Sequence, residues 1–134
     1  MATLGAEKLQ VRSGREIVTI RQTVRAWAIE LGFSLVDQTK IITAASELAR
    51  NVATHGEGGT LLLEKLNNGN RSGLRLTFED EGPGIPDVEL AMKDGYTTAG
   101  GLGLGLSGAK RLSSEFAIDS RVGEGTRVTI VRWR

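Results

Sequence analysis

The chain has no cysteine among its 134 residues, which excludes disulfides, thiolate nucleophiles and zinc sites built on cysteine, and leaves nothing that requires an oxidising compartment. It has no apolar run approaching the ~20 residues that span a bilayer, and its N-terminus lacks the charged-then-apolar layout of a signal peptide. A membrane is therefore not an expected partner, and the expected location is the cytoplasm. Charge of one sign is also missing: Lys plus Arg (17) nearly balances Asp plus Glu (16), so no basic field recruits nucleic acid by neutralising phosphates. The apolar fraction of 40% and charged fraction of 25% carry none of the signature of disorder. No repeat or linker divides the chain, and its length suits one core, so residues 1–134 are expected to form a single domain.

Glycine is what the chain has in excess. It accounts for 18 residues, about twice the usual ~7%, without a collagen period or the serine company of a flexible linker.

The periodicity changes along the chain in an ordered way. Residues 7–12 alternate as an opening edge strand does. Ser13-Gly14-Arg15-Glu16 reads as a capping box, and Ile17, Ile20, Val24, Trp27, Ala28 and Leu31 then recur at helical spacing until Gly32. Ser34 to Asp37 repeats the cap signal for a second helix, whose stripe runs through Ile41, Ala44, Ala45, Leu48 and Val52 and ends near Gly56. Strands are expected over 60–66 and 74–79, flanking a turn-rich stretch at 67–73. A short helix at 88–93, a glycine-rich loop, a helix at 105–115 and strands at 116–120 and 127–133 follow. Helices and antiparallel strands segregated in this way predict an α+β sandwich, with one sheet covered on one face by three main helices.

Three clusters bear on chemistry. Glu47, Asn51 and His55 are spaced i, i+4, i+8 and share one helical face beside the apolar stripe; a solvated helix side is the plainer reading. In Asp80-Glu81-Gly82-Pro83-Gly84, a carboxylate precedes two alternate glycines, so a flat donor such as adenine's exocyclic amine can approach without obstruction by a Cβ. A turn closing the strand is the alternative there. Gly95, Gly100, Gly101, Gly103, Gly105 and Gly108 run directly into a helix, presenting backbone N–H groups and a positive helix terminus suited to phosphate. With Tyr96-Thr97-Thr98 leading in, this segment reads as a lid, or otherwise as a flexible surface loop. It is not a P-loop, since Arg111 follows Lys110 where Ser or Thr is required. Gly103-Leu104-Gly105-Leu106-Ser107-Gly108 matches Gly-x-Gly-x-x-Gly, but no hydrophobic strand precedes it and only 26 residues follow Gly108, too few for a dinucleotide fold.

Taken in chain order, Glu47-x-x-x-Asn51, Asp80-x-Gly82-x-Gly84, Gly101-x-Gly103-x-Gly105 and Gly125-Thr126 resemble the boxes of the GHKL ATPases, the superfamily of gyrase, Hsp90, histidine kinases and MutL. The resemblance covers essentially the whole chain. It implies the Bergerat ATP-binding fold, a two-layer α+β sandwich with one mixed, mostly antiparallel sheet covered on one face by helices. The gyrase-, Hsp90- and MutL-like branches add domains for which 134 residues leave no room. A histidine kinase needs a phospho-accepting His on a separate helix, whereas His55 shares the helix of Glu47. The stretches at 47–51, 80–86, 94–106 and 123–126 are most similar to the serine/threonine switch-protein kinases of the stressosome, in the anti-sigma factor kinase branch.

That resemblance implies ATP and Mg²⁺ as cofactors, STAS-domain proteins (stressosome scaffold and antagonist) as substrates, and a PP2C-type phosphatase as a further partner. Glu47 is implied as the base that accepts or orients the target hydroxyl, and Asn51 as the Mg²⁺ ligand. Asp80 would receive the adenine amine, backed by Thr126 and flanked by Gly82 and Gly84. Gly100, Gly101, Leu102, Gly103, Leu104, Gly105 and Leu106 would form the phosphate lid. Two other readings stand beside this one: an anti-sigma factor that sequesters a sigma subunit and phosphorylates its antagonist, and a nucleotide binder without transfer activity, against which the intact Glu47 argues.

Overall fold

Helix α1 (Gly14–Glu30) begins where its local chemistry directs: the Glu16 carboxylate accepts the Ser13 N–H at 3.0 Å, one half of a capping box. It ends in a Schellman turn. Gly32, at φ +81°, donates to the Ile29 carbonyl at 3.0 Å while Phe33 donates to that of Ala28 at 2.9 Å, the paired bonds that a left-handed residue after a helix permits. Helix α2 (Leu35–Thr54) is capped by Ser34, whose Oγ accepts the Asp37 N–H at 3.1 Å. In this computed structural model the described residues are 2–54, 57–92 and 105–134. The expected lid positions Gly100, Gly101, Leu102, Gly103 and Leu104, and also His55, lie outside them.

Among the described residues, five strands form one sheet in the order β1-β2-β3-β5-β4, and all four pairings are antiparallel. They are β1 (Ala2–Val11), β2 (Gly59–Asn68), β3 (Arg71–Asp80), β4 (Glu115–Arg121) and β5 (Gly125–Trp133). A one-turn helix α3 (Val88–Ala91) and helix α4 (Gly105–Arg111) lie between β3 and β4 in the chain. The β2–β3 hairpin is longer than its turn-rich sequence suggests, because pairing continues to Asn68↔Arg71 and leaves a two-residue turn. Gly69 takes φ +67° there, as the first central residue of a type II′ turn does.

The helices cover one face of the sheet. Ile20, Val24 and Ala28 from α1, with Ile41 and Leu48 from α2, meet Leu61, Leu63, Leu74, Leu76, Phe78 and Ile130, all within 1% of complete burial. Strand alternation turns Glu64, Arg75, Glu79 and Arg127 to the other face. There Arg75 donates to both Glu64 oxygens, at 2.8 and 3.0 Å. The hydrogen bond from Arg75 holds the Glu64 carboxyl below its ordinary value, against an opposing effect of burial, and the same bond raises Arg75. A carboxyl depressed by folding stabilises the native state fully above its unfolded pKa and loses that contribution as pH falls through the folded value. Glu64→Gln is therefore expected to cost about 1–3 kcal/mol at neutral pH and progressively less as pH drops below 4.5. Urea unfolding of both proteins at neutral and acid pH checks this; a deficit independent of pH would contradict it.

Candidate functional site

The end of the sheet where β3 finishes is tightened by glycines. Asp80 stands opposite Gly59 on one side and Thr126 on the other. A Cβ on Gly59 would collide with the Glu79 carbonyl, one on Gly125 (φ +109°) with the Asp80 carbonyl, and one on Gly84 (φ +79°) with the Arg121 carbonyl. Gly84 thus serves backbone packing against the β4–β5 turn, a role beyond the ligand approach expected of it. Around this end the Asp80 carboxylate, half-buried, accepts the Gly82 N–H at 2.9 Å. Burial raises its pKa above the ordinary aspartate value, and hydrogen bonds from the backbone N–H groups of Gly82 and Thr126 oppose that rise only in part. Two backbone donors leave a carboxylate with capacity for a further one.

Ser120 organises the other side of this end of the sheet and was not among the residues singled out by sequence. Its Oγ accepts the Ile85 N–H at 2.8 Å and lies 2.7 Å from the Thr126 hydroxyl, so one side chain ties the Asp80-Gly82-Gly84 loop to β5. The alternation of β4, with Phe116, Ile118 and Ser120 on the more buried side, is the signal that would have found it. A concavity of about 240 Å³ also borders Asp80 and Thr126, but Glu79, Asp119, Arg121 and Arg127 line it. These residues belong to the uncovered face of the sheet, away from the helices.

On α2, Glu47 and Asn51 are one turn apart on a partly buried side of the helix. Arg50 Nη1 donates to Glu47 Oε1 at 2.9 Å; the Glu47 side chain is 20% exposed and that of Arg50 56%. The arginine therefore orients the carboxylate. The Asn51 side chain has no hydrogen-bond partner among the described residues, which leaves its oxygen open to a ligand. The C-terminal part of α2 leads to β2 at Gly59, opposite Asp80, and so Asn51 and Asp80 come to the same end of the sheet. A left-handed Glu57 at φ 61° and a Gly58 N–H bond to the Val52 carbonyl at 3.0 Å shape that return.

Helix α4 packs along α2 and buries Leu106 and Ala109 in the common core. Of the expected phosphate residues, Gly105 and Leu106 are placed there, at the first turn of α4. Among the described residues no group of three or more His, Cys, Asp or Glu could hold a metal. Among the described residues of this face, Asn51 offers an amide oxygen without a hydrogen-bond partner, beside the Glu47 carboxylate. That set fits Mg²⁺, which keeps several waters and takes its other ligands from substrate phosphates.

A family model described as histidine kinase-, DNA gyrase B-, and HSP90-like ATPase matches residues 36–134. The chain is similar to the serine/threonine-protein kinase RsbT of Bacillus subtilis, with 48% identity over 118 residues, 88% of this chain and 89% of that one. It is also similar to the anti-sigma F factor of Anoxybacillus flavithermus, 32% identical over 119 residues, 84% of this chain and 80% of that one. Among solved structures, the RsbU and RsbW domains of a Mycobacterium tuberculosis protein align with a TM-score of 0.65 at 23% identity, covering 97% of this chain and 33% of that chain. The mycobacterial sensor histidine kinase MprB aligns at 0.55 and 17% identity, covering 96% and 97%. At these identities the two structures share the fold.

Proposed function

Because the chain belongs to the histidine kinase-, DNA gyrase B-, and HSP90-like ATPase family, we propose that it is an ATP-dependent serine/threonine kinase of STAS-domain proteins in a bacterial partner-switching pathway. Once released from those partners, it activates a PP2C-type phosphatase. The observation that carries this reading is 48% identity, over 88% of the chain, to a serine/threonine kinase. The location in this reading is the cytoplasm; among the described residues no helix is long and apolar enough to cross a membrane.

In this reading Asp80 receives the adenine amine, and the Ser120–Thr126 hydroxyl pair holds the loop of Gly82 and Gly84 against β5 so that the base lies close to the backbone. Asn51 holds Mg²⁺ through its amide oxygen; when bound, the ion neutralises phosphate charge. Gly105 and Leu106, with residues 100–104, supply N–H groups to the phosphates. Glu47 takes the proton of the target hydroxyl, or aligns that hydroxyl, as it approaches the γ-phosphate. A deletion of the metal ligand has a specific signature: Asn51→Ala is expected to weaken Mg·ATP by about tenfold and Mg-free ATP by much less. Calorimetric titrations with and without Mg²⁺ check this, and equal losses would remove Asn51 from the metal site.

The similarity to anti-sigma F factors favours one second reading, capture of a sigma subunit with phosphorylation of its antagonist as the release step. Affinity capture from a bacterial lysate in Mg·ADP and in Mg·ATP separates the two. STAS-domain proteins and a PP2C-type phosphatase are expected; recovery of a sigma subunit in their place would establish the second reading.

A further inference from the structure

Arg132 lies on β5 with its side chain 17% exposed, and it reaches two elements far apart in sequence. Nη2 donates to Asp37 Oδ1 at 2.7 Å, in the first turn of α2, and Nη1 donates to the Leu112 carbonyl at 3.2 Å, just past the end of α4. Its Nε is buried without a hydrogen-bond partner. A buried N–H left unbonded is costly, so the guanidinium is held by its two acceptors even at the loss of the third bond. Both contacts are of the strong kind: a charge-assisted bond to a carboxylate, and a cation at the negative end of a helix. Asp37 occupies the third position of α2, where a carboxylate often folds back on its own cap, and here it also accepts from the arginine of another layer.

The segment after α4 is fastened at the same place. Ser114 donates to the Val131 carbonyl at 2.8 Å, its Oγ accepts the Trp133 N–H at 3.1 Å, and Ser113 Oγ caps the Ala109 carbonyl at 2.7 Å. With this end of α4 braced against β5 and the start of α2, its other end is set along α2 toward Glu47 and Asn51. Glu47 is ten residues beyond Asp37, about 15 Å along the helix axis.

We propose that Arg132 is a positioning residue for the phosphate end of the nucleotide: by joining Asp37 to the Leu112 carbonyl it sets Gly105 and Leu106 relative to Glu47 and Asn51. The inference rests on the nucleotide reading of the site and extends it to a residue that touches no nucleotide. Adenosine and ATP separate its effect from a general loosening, because adenosine engages only the Asp80 end. Arg132→Met removes both bonds and keeps the apolar stem, and is expected to weaken Mg·ATP by about tenfold through misplacement of the phosphate end, with adenosine affinity within about twofold. Arg132→Lys, whose single ammonium satisfies only one acceptor well, is expected to restore part of the loss. Asp37→Asn is expected to fall between these and the unsubstituted protein, and it serves in place of Arg132→Met if that variant does not unfold cooperatively. Calorimetric titration of each variant with Mg·ATP and with adenosine decides the matter. Equal losses of ATP and adenosine, or no loss of either, would overturn the positioning role while leaving the nucleotide site in place. Failure of the unsubstituted protein to bind ATP would remove the nucleotide reading and this role together.

Discussion

Glu47→Gln is expected to lower phosphate transfer by about 10²–10⁴-fold, the usual worth of a positioned general base, while ATP affinity stays within about threefold. The substitution keeps the size and polarity of the side chain and removes its ability to take a proton. It also weakens the 2.9 Å ion pair with Arg50, which leaves the arginine freer but deletes no proposed nucleotide contact. Single-turnover transfer and an ATP titration on the same preparation separate chemistry from binding. A parallel loss of both would show that Glu47 supports the bound nucleotide and is not the base.

The second large effect is expected at Asp80. Asp80→Asn should weaken adenosine binding by about 10–100-fold, because an amide accepts more weakly than a carboxylate and brings a competing donor. The raised pKa of Asp80, caused first by its burial, gives the effect a pH dependence with a definite sign. The charged acceptor is present above the folded pKa, so adenosine affinity should fall as pH drops toward it, and the fall should begin above the 3.8 of an ordinary aspartate. Asp80→Asn should abolish that part of the profile. Stability runs the other way: a carboxyl whose pKa folding raises costs the native state stability at neutral pH and returns it as pH falls through the folded value. The Asn variant is therefore expected to unfold at a higher temperature at pH 7 while binding adenosine poorly, a trade between stability and function. Binding equal to that of the unsubstituted protein would place adenine elsewhere.

Local chemistry was the part of this fold most open to reading from sequence. Ser13, Glu16, Gly32 and Ser34 act within four residues of themselves, so both limits of α1 and the start of α2 follow from neighbouring residues. Features that depend on pairing were less visible. Residues 2–6 have little alternation, and the register shift between Thr3 and Gly5 breaks what there is, yet pairing with β2 recruits them into a ten-residue strand. Cross-strand bonds likewise override the turn preference of Asn67, Asn68 and Ser72. Helix α4 stops at Arg111, short of the expected 115, because Ser113 and Ser114 bond to Ala109 and to β5. In the proposed site, spacing singled out Glu47, Asn51 and Asp80 and the family resemblance gave them roles, whereas the alternation of β4 marks Ser120 only as half-buried, and its role requires Ile85 and Thr126 to arrive from two other segments. Arg132 and Asp37 are 95 residues apart, and no local pattern joins them.

Transfer of phosphate from ATP to a hydroxyl of a separate protein is the central claim, and intact-mass spectrometry tests it most directly. A STAS-domain protein incubated with this chain and Mg·ATP is expected to gain one phosphoryl group, located on a serine or threonine by peptide mapping, and to gain none with the Glu47→Gln variant. An unchanged partner mass with ATP demonstrably bound to the kinase, or equal phosphorylation by the Glu47→Gln variant, would contradict the account.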